Sequence, residues 1–301
     1  MKRVEFKNRD ITVVGNLYVP EEFNESKQYP AIVICHPAGG VKEQTAGTYA
    51  EQLAKQGYVT MAYDASYQGE SSGEPRQMEN PYIRTEDISA AVDFLTTLPY
   101  VDNNRIGALG ICAGGGYVVS AAMRDRRIKT VATVSAVNIG EGFRYSWGGH
   151  ATPDSQNLIG LLENVGQTRT AQVNGSELVY VPLVPKSKEG LTLPDMIEAN
   201  DYYWTPRAQH PRAVSRMLLV DLAQQATFDA FHLVEQFLTQ PLLIVAGTAA
   251  NTLWFSEELY RRAGAKDKTL HLVEGATHIA MYDIYVPQAM EQLAPFFKRT
   301  L

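Results

Sequence analysis

A cysteine stands among closely spaced glycines in Gly110-Ile111-Cys112-Ala113-Gly114, and Gly115 and Gly116 extend the run. The spacing is that of a nucleophile elbow, G-x-nucleophile-x-G, with cysteine where serine is more usual. Glycines two before and two after leave room for a strand and a helix to cross beside a strained apex. The helix N-terminus under Cys112 is expected to favour the thiolate, the form that attacks a carbonyl carbon. Cys35 instead ends an apolar run without a glycine bracket, which makes it a packing residue.

Such a nucleophile needs a base and donors for the oxyanion. His278, in Gly275-Ala276-Thr277-His278, follows the last apolar run and keeps the chain order nucleophile, acid, histidine. His271 falls inside an expected strand and His232 in an expected helix, while His150 and His210 lie in a divergent segment where substrate contact stays open. The amide of Ala113 supplies one oxyanion donor. Ala38, in His36-Pro37-Ala38-Gly39-Gly40, supplies the second, because Pro37 has no N–H. His36 is expected to hold that loop. The loop at residues 247–252 offers no carboxylate, and Asn251 stands in the slot. An asparagine can accept the imidazole N–H and orient the ring, and a cysteine depends less than a serine on an acidic partner. Glu141, Glu257 and Glu258 are alternative orienters, otherwise surface charges. Asp64 and Glu70 are expected to bond within their own loop.

The elements around these residues follow a rhythm. Residues 4–7 and 11–19 read as an antiparallel pair ended by Pro20. Short apolar runs at 31–35, 58–63, 106–109, 130–137, 241–246 and 270–274 alternate with expected helices at 43–56, 83–98, 114–123, 255–263 and 287–298. That alternation predicts a mostly parallel central sheet flanked by helices. Residues 140–237 break the rhythm and predict a lid inserted into a core of residues 1–139 and 238–301. Tyr145, Trp147 and Trp204 in this segment are candidate substrate contacts, suited to an apolar or aromatic acyl group.

Composition narrows the partners. With 27 Lys and Arg against 33 Asp and Glu, the formal charge is −6, which disfavours binding a phosphate backbone. No apolar stretch reaches the roughly 18 residues of a membrane span, and the N-terminus lacks a signal-peptide core. The expectation is a soluble cytoplasmic protein with a small-molecule substrate. A homodimer stays open. Two cysteines without metal-ligand spacing argue for neither a disulfide framework nor a zinc site, and the chemistry needs no metal or cofactor.

The loop His36 to Gly40, the stretch Tyr63-Asp64-Ala65-Ser66-Tyr67-Gln68-Gly69-Glu70-Ser71, the elbow at Cys112 and Glu274-Gly275-Ala276-Thr277-His278 together resemble the dienelactone-hydrolase-like branch of the α/β-hydrolase superfamily. They are most similar to a bacterial and fungal subgroup described as hydrolases or polyketide transferases. The resemblance implies an α/β-hydrolase fold and action on ester-type bonds. Relatives often carry Asp at the position of Asn251, so a Cys-His-Asp triad does not carry over to this chain. The expected function is hydrolysis of a carboxylic ester, lactone or thioester through an acyl-enzyme on Cys112. Acyl transfer or cyclisation in a biosynthetic pathway is the alternative, as is a degenerate fold that only binds a small molecule.

Overall fold

The computed structural model describes residues 1–149 and 155–301; His150 lies outside them. The chain runs β1 (Lys2–Asn8), β2 (Ile11–Tyr18), β3 (Tyr29–Cys35), α1 (Thr45–Lys55), β4 (Val59–Tyr63), α2 (Pro81–Thr96), β5 (Val101–Ile111), α3 (Ala113–Arg124) and β6 (Ile128–Val134). It continues through α4 (Ile139–Tyr145), α5 (Ser155–Val173), β7 (Tyr180–Pro182), α6 (Pro194–Trp204), β8 (Arg216–Leu218), α7 (Leu222–Thr227) and α8 (Val234–Phe237). It closes with β9 (Leu242–Gly247), α9 (Leu253–Arg262), β10 (Lys268–Val273) and α10 (Val286–Thr300).

Eight strands form one sheet in the order β1-β2-β4-β3-β5-β6-β9-β10. The pairs β1/β2 and β2/β4 are antiparallel, and the others are parallel. The apolar runs become its inner strands because both faces are covered: β3, β6 and β9 bury nearly every residue. One face packs against α2, α3 and α9, and the other against α1 and α10. β5 extends further than its apolar run, since its polar start, Asp102 to Arg105, lies at the sheet's open end. His232, expected on a helix, lies in a turn ahead of α8.

Between β6 and β9 the chain adds nothing to this sheet. It builds instead a two-stranded piece, β7 with β8, and the helices α4 to α8. Parallel strands put their carboxyl ends on one side, so the segments after β3, β5, β9 and β10 converge there. Among the described residues no helix is long and apolar enough to cross a membrane.

Candidate active site

Cys112 links β5 to α3 with φ 57° and ψ −125°, a conformation that costs free energy for a residue with a Cβ. The glycine bracket is sterically required. A Cβ at Gly110 would meet the carbonyl oxygen of Gly114 at 2.1 Å, and one at Gly114 would meet that of Cys35 at 2.3 Å. The apex is further tied by Cys112 N to Val134 O at 3.0 Å and by Val137 N to Cys112 O at 2.9 Å. These bonds project the sulfur into a cavity of about 130 Å3.

Ala38, Ala113, Asn251, Thr252, His278 and Tyr282 line the same cavity, with Phe143, Trp147, Leu183, Met196 and Tyr203 contributed by the inserted segment. Trp147 is therefore a lining residue. Tyr145 and Trp204 are corrections to the sequence reading. Tyr145 sits outside the lining, edge-on to Trp254 at 6.4 Å, because Phe143 takes the inward face of α4. Trp204 is turned away at the end of α6, where its Nε1 donates to Val184 O at 3.0 Å and Lys186 covers its ring. Its neighbour Tyr203 faces inward instead.

The imidazole of His278 is buried, and burial pushes it down to about 4, so it is neutral at neutral pH. Its Nδ1 meets Thr252 Oγ1 at 2.5 Å, and its Nε2 meets Tyr282 Oη at 2.9 Å. Asn251, expected on the ring, is displaced from that role. Its side-chain oxygen is buried and unpartnered, while its backbone N–H donates to Asp195 Oδ2 at 2.7 Å. The reason is local: the loop places the next side chain, that of Thr252, against Nδ1. A hydroxyl one position from the expected slot was the available signal.

Burial raises the Cys112 thiol, although the hydrogen bond shared with Tyr282 and that from the Ala113 amide pull the other way. The expected lowering by the helix N-terminus is thus outweighed by desolvation. The resting pair is a thiol and a neutral imidazole. Glu141 lies on α4 away from His278, held at about 8 by burial and by neighbouring Glu258 and Asp229. Glu258 pairs with Arg262 at 2.9 Å.

The loop that carries Ala38 is anchored from behind. His36 is wholly buried, with Nδ1 at 2.6 Å from Pro37 O and Nε2 accepting from Ala65 N at 3.1 Å. Those partners fix a neutral ring protonated on Nδ1. Arg84 Nη2 donates to His36 O at 2.7 Å, and Nη1 reaches both oxygens of Glu79 at 2.8 and 2.9 Å. Gln68 and Tyr117 complete the bonding of Glu79. Sequence reading did not find this buried group, because α2 brings it to the loop only in the folded chain. Asp64 and Glu70 both pair with buried Lys42 on the loop after β3, at 2.7 and 2.5 Å, and within their own loop Glu70 N donates to Asp64 Oδ2 at 2.9 Å. Among the described residues no cluster of three His, Cys, Asp or Glu side chains is placed to hold a metal ion.

The dienelactone hydrolase family model matches residues 15–137, the span from β2 through the elbow. YcjY of Escherichia coli K12 is 52% identical over 304 residues, covering 99% of each chain. The chain belongs to the dienelactone hydrolase family. This family membership makes it an α/β hydrolase that acts on ester-type bonds. The crystal structure of PA2218 from Pseudomonas aeruginosa superposes with a TM-score of 0.93 at 36% identity, covering all of this chain and 93% of the other. The thiohydrolase aneE of Aspergillus aculeatus is 34% identical over 183 residues, which is 60% of this chain and 54% of that protein.

Proposed function

We propose that the protein cleaves a thioester or activated ester through an acyl-enzyme on Cys112, with His278 as the base. The observation that carries this reading is the strained cysteine apex, φ 57°, opening into an apolar cavity that also holds a neutral, buried histidine.

The hydrogen-bond directions support a proton path. With Nδ1–H donating to Thr252 Oγ1, Nε2 is the free base and accepts from the Tyr282 hydroxyl, which in turn faces the Cys112 thiol. As the sulfur bonds to the carbonyl carbon, the thiol proton passes to the Tyr282 oxygen and the Tyr282 proton passes to Nε2. The carbonyl π-bond opens to an oxyanion held by the amides of Ala38 and Ala113. Collapse expels the leaving thiolate or alkoxide, which takes the proton from imidazolium. Water, or another hydroxyl or thiol, then attacks the acyl-cysteine by the reverse path and releases acid or transferred acyl product. The inserted segment acts as a cap that keeps bulk water from the acyl group.

The thiohydrolase name of the Aspergillus relative favours a thioester. A binding protein is the second reading, favoured by the raised thiol and by a hydroxyl, not a carboxylate, on the imidazole. Steady-state assays on a panel of acyl thioesters and aryl esters separate the two. Turnover is expected in the wild type and absent in C112A and H278A, with Y282F slowed about tenfold or more. Turnover surviving in C112A would overturn the cysteine mechanism, and no turnover of any panel member by the wild type would favour the binder.

A further inference from the structure

Helix α6 meets the active site with two acidic residues one turn apart, Asp195 and Glu198. Asp195 Oδ2 accepts the backbone N–H of Asn251 at 2.7 Å, and Glu198 accepts the hydroxyl of Thr277. Burial raises the Asp195 carboxyl, and the amides of Asn251, His278 and Thr252 draw it part of the way back down, so one carboxylate faces the backbone of both loops. The two loops are joined to each other at their bases, where Ala249 N donates to Ala276 O at 3.0 Å and Gly275 N to Thr248 Oγ1 at 2.8 Å. Where Thr252 Oγ1 meets His278 Nδ1, the added tie is Asp195. Met196, Ala199 and Tyr203 of the same helix line the cavity, so the element that walls it also grips both loops.

We propose that Asp195 is a positioning residue for the acyl-transfer chemistry, supplied by the inserted segment where the loop at residues 247–252 has no carboxylate of its own. This inference rests on the acyl-enzyme reading above, in which His278 is the base. Both ring nitrogens are already taken, by Thr252 and Tyr282, so Asp195 does not bond the imidazole. It acts through the backbone, holding Thr252 and His278 at the separation that keeps Nδ1 bonded and Nε2 turned to Tyr282. A carboxylate suits the task because amide bonds to a charged acceptor are stronger than neutral ones. A shift of the ring is costly, because proton transfer needs its partners within hydrogen-bond reach at the moment of attack. Glu198 reinforces the clamp at Thr277, the residue before the base.

The test is steady-state kinetics and the rate of Cys112 acylation on an N-acetylcysteamine thioester that the wild type turns over. The variants are D195A, D195N, T252V, the double variant D195A/T252V, and N200A as a control. Asn200 ties α6 to its own segment, donating to Pro185 O at 2.7 Å and Lys186 O at 2.9 Å, so N200A loosens the helix and leaves the clamp in place. In D195A kcat should fall about tenfold or more while KM stays within about threefold. D195N, which keeps an acceptor but loses the charge, should fall by about threefold, and N200A should stay within about twofold of wild type. Because Asp195 acts through Thr252, its removal should cost about threefold less in the T252V background. Circular dichroism checks the fold of each variant, and if D195A does not fold, D195N is read in its place with the same sign. A kcat within about twofold of wild type in D195A and D195N, an equal fall in N200A, or costs that simply multiply in the double variant would each overturn the positioning role and leave the acyl-enzyme reading standing. A loss expressed in KM alone would make Asp195 a substrate-binding residue and overturn it too. Failure of the wild type to acylate on Cys112 with any thioester would defeat the underlying reading and this inference with it.

Discussion

In the proposed mechanism Thr252 orients His278 through a neutral hydroxyl, so an imidazolium formed during attack would have no carboxylate bonded to it. T252V should lower kcat by roughly two- to tenfold, the worth of one net hydrogen bond, as measured in the thioester assay. N251D tests the same geometry from the other side. It should bring no gain, because Nδ1 is already occupied and the new carboxylate would lie beside Asp195. A rise in kcat of about tenfold in N251D would return position 251 to the orienting role. At this scale the sequence is informative where backbone geometry dictates residue type. Cys112 and His278 are legible because the glycine bracket and the loop after the last strand mark their places. Thr252 and Tyr282 are not, since their contacts with His278 depend on which side chains meet across 26 and 4 residues of chain.

Helix α2 carries Arg84 into the interior, where it holds Glu79 and the His36 carbonyl and so shapes the loop presenting Ala38. Removing one partner of a buried ion pair strands the other charge. R84M should cost about 3 to 5 kcal/mol in urea unfolding; a loss under about 1 kcal/mol would mean that Glu79 is satisfied by Gln68 and Tyr117 alone. Helix α6 has the corresponding role on the far side. Asp195 takes the Asn251 amide, Glu198 bonds Thr277, and Arg207 holds Asp283 at 2.7 and 2.8 Å. The inserted segment is thereby tied to both loops that carry the base and its orienter. The sheet strands β3, β4, β6 and β9 are legible as continuous apolar runs, because burial on both faces demands them. The interior of the inserted segment is not, since its short helices pack through scattered aromatics without a clear period.

The whole molecule's stability should depend on pH through Glu141. Burial, with Glu258 and Asp229 nearby, raises its carboxyl to about 8 from an ordinary 4.5. The folded state therefore binds this proton more tightly than the unfolded chain. The resulting stabilisation is fully present below about 4.5 and is lost as pH rises through about 8. E141Q should lose less Tm than the wild type between pH 5 and pH 9, and parallel Tm curves would refute the assignment. The fold as a whole is legible from the strand and helix rhythm, and the excess of acidic residues adds only a bias against polyanionic partners. The most direct test of the central claim is intact-mass spectrometry during turnover of an acyl thioester. The wild type should gain one acyl mass, mapped to the peptide containing Cys112 and decaying as substrate is exhausted, with no gain in C112A. Turnover without any such adduct, or an adduct that persists in C112A, would contradict a covalent cysteine mechanism.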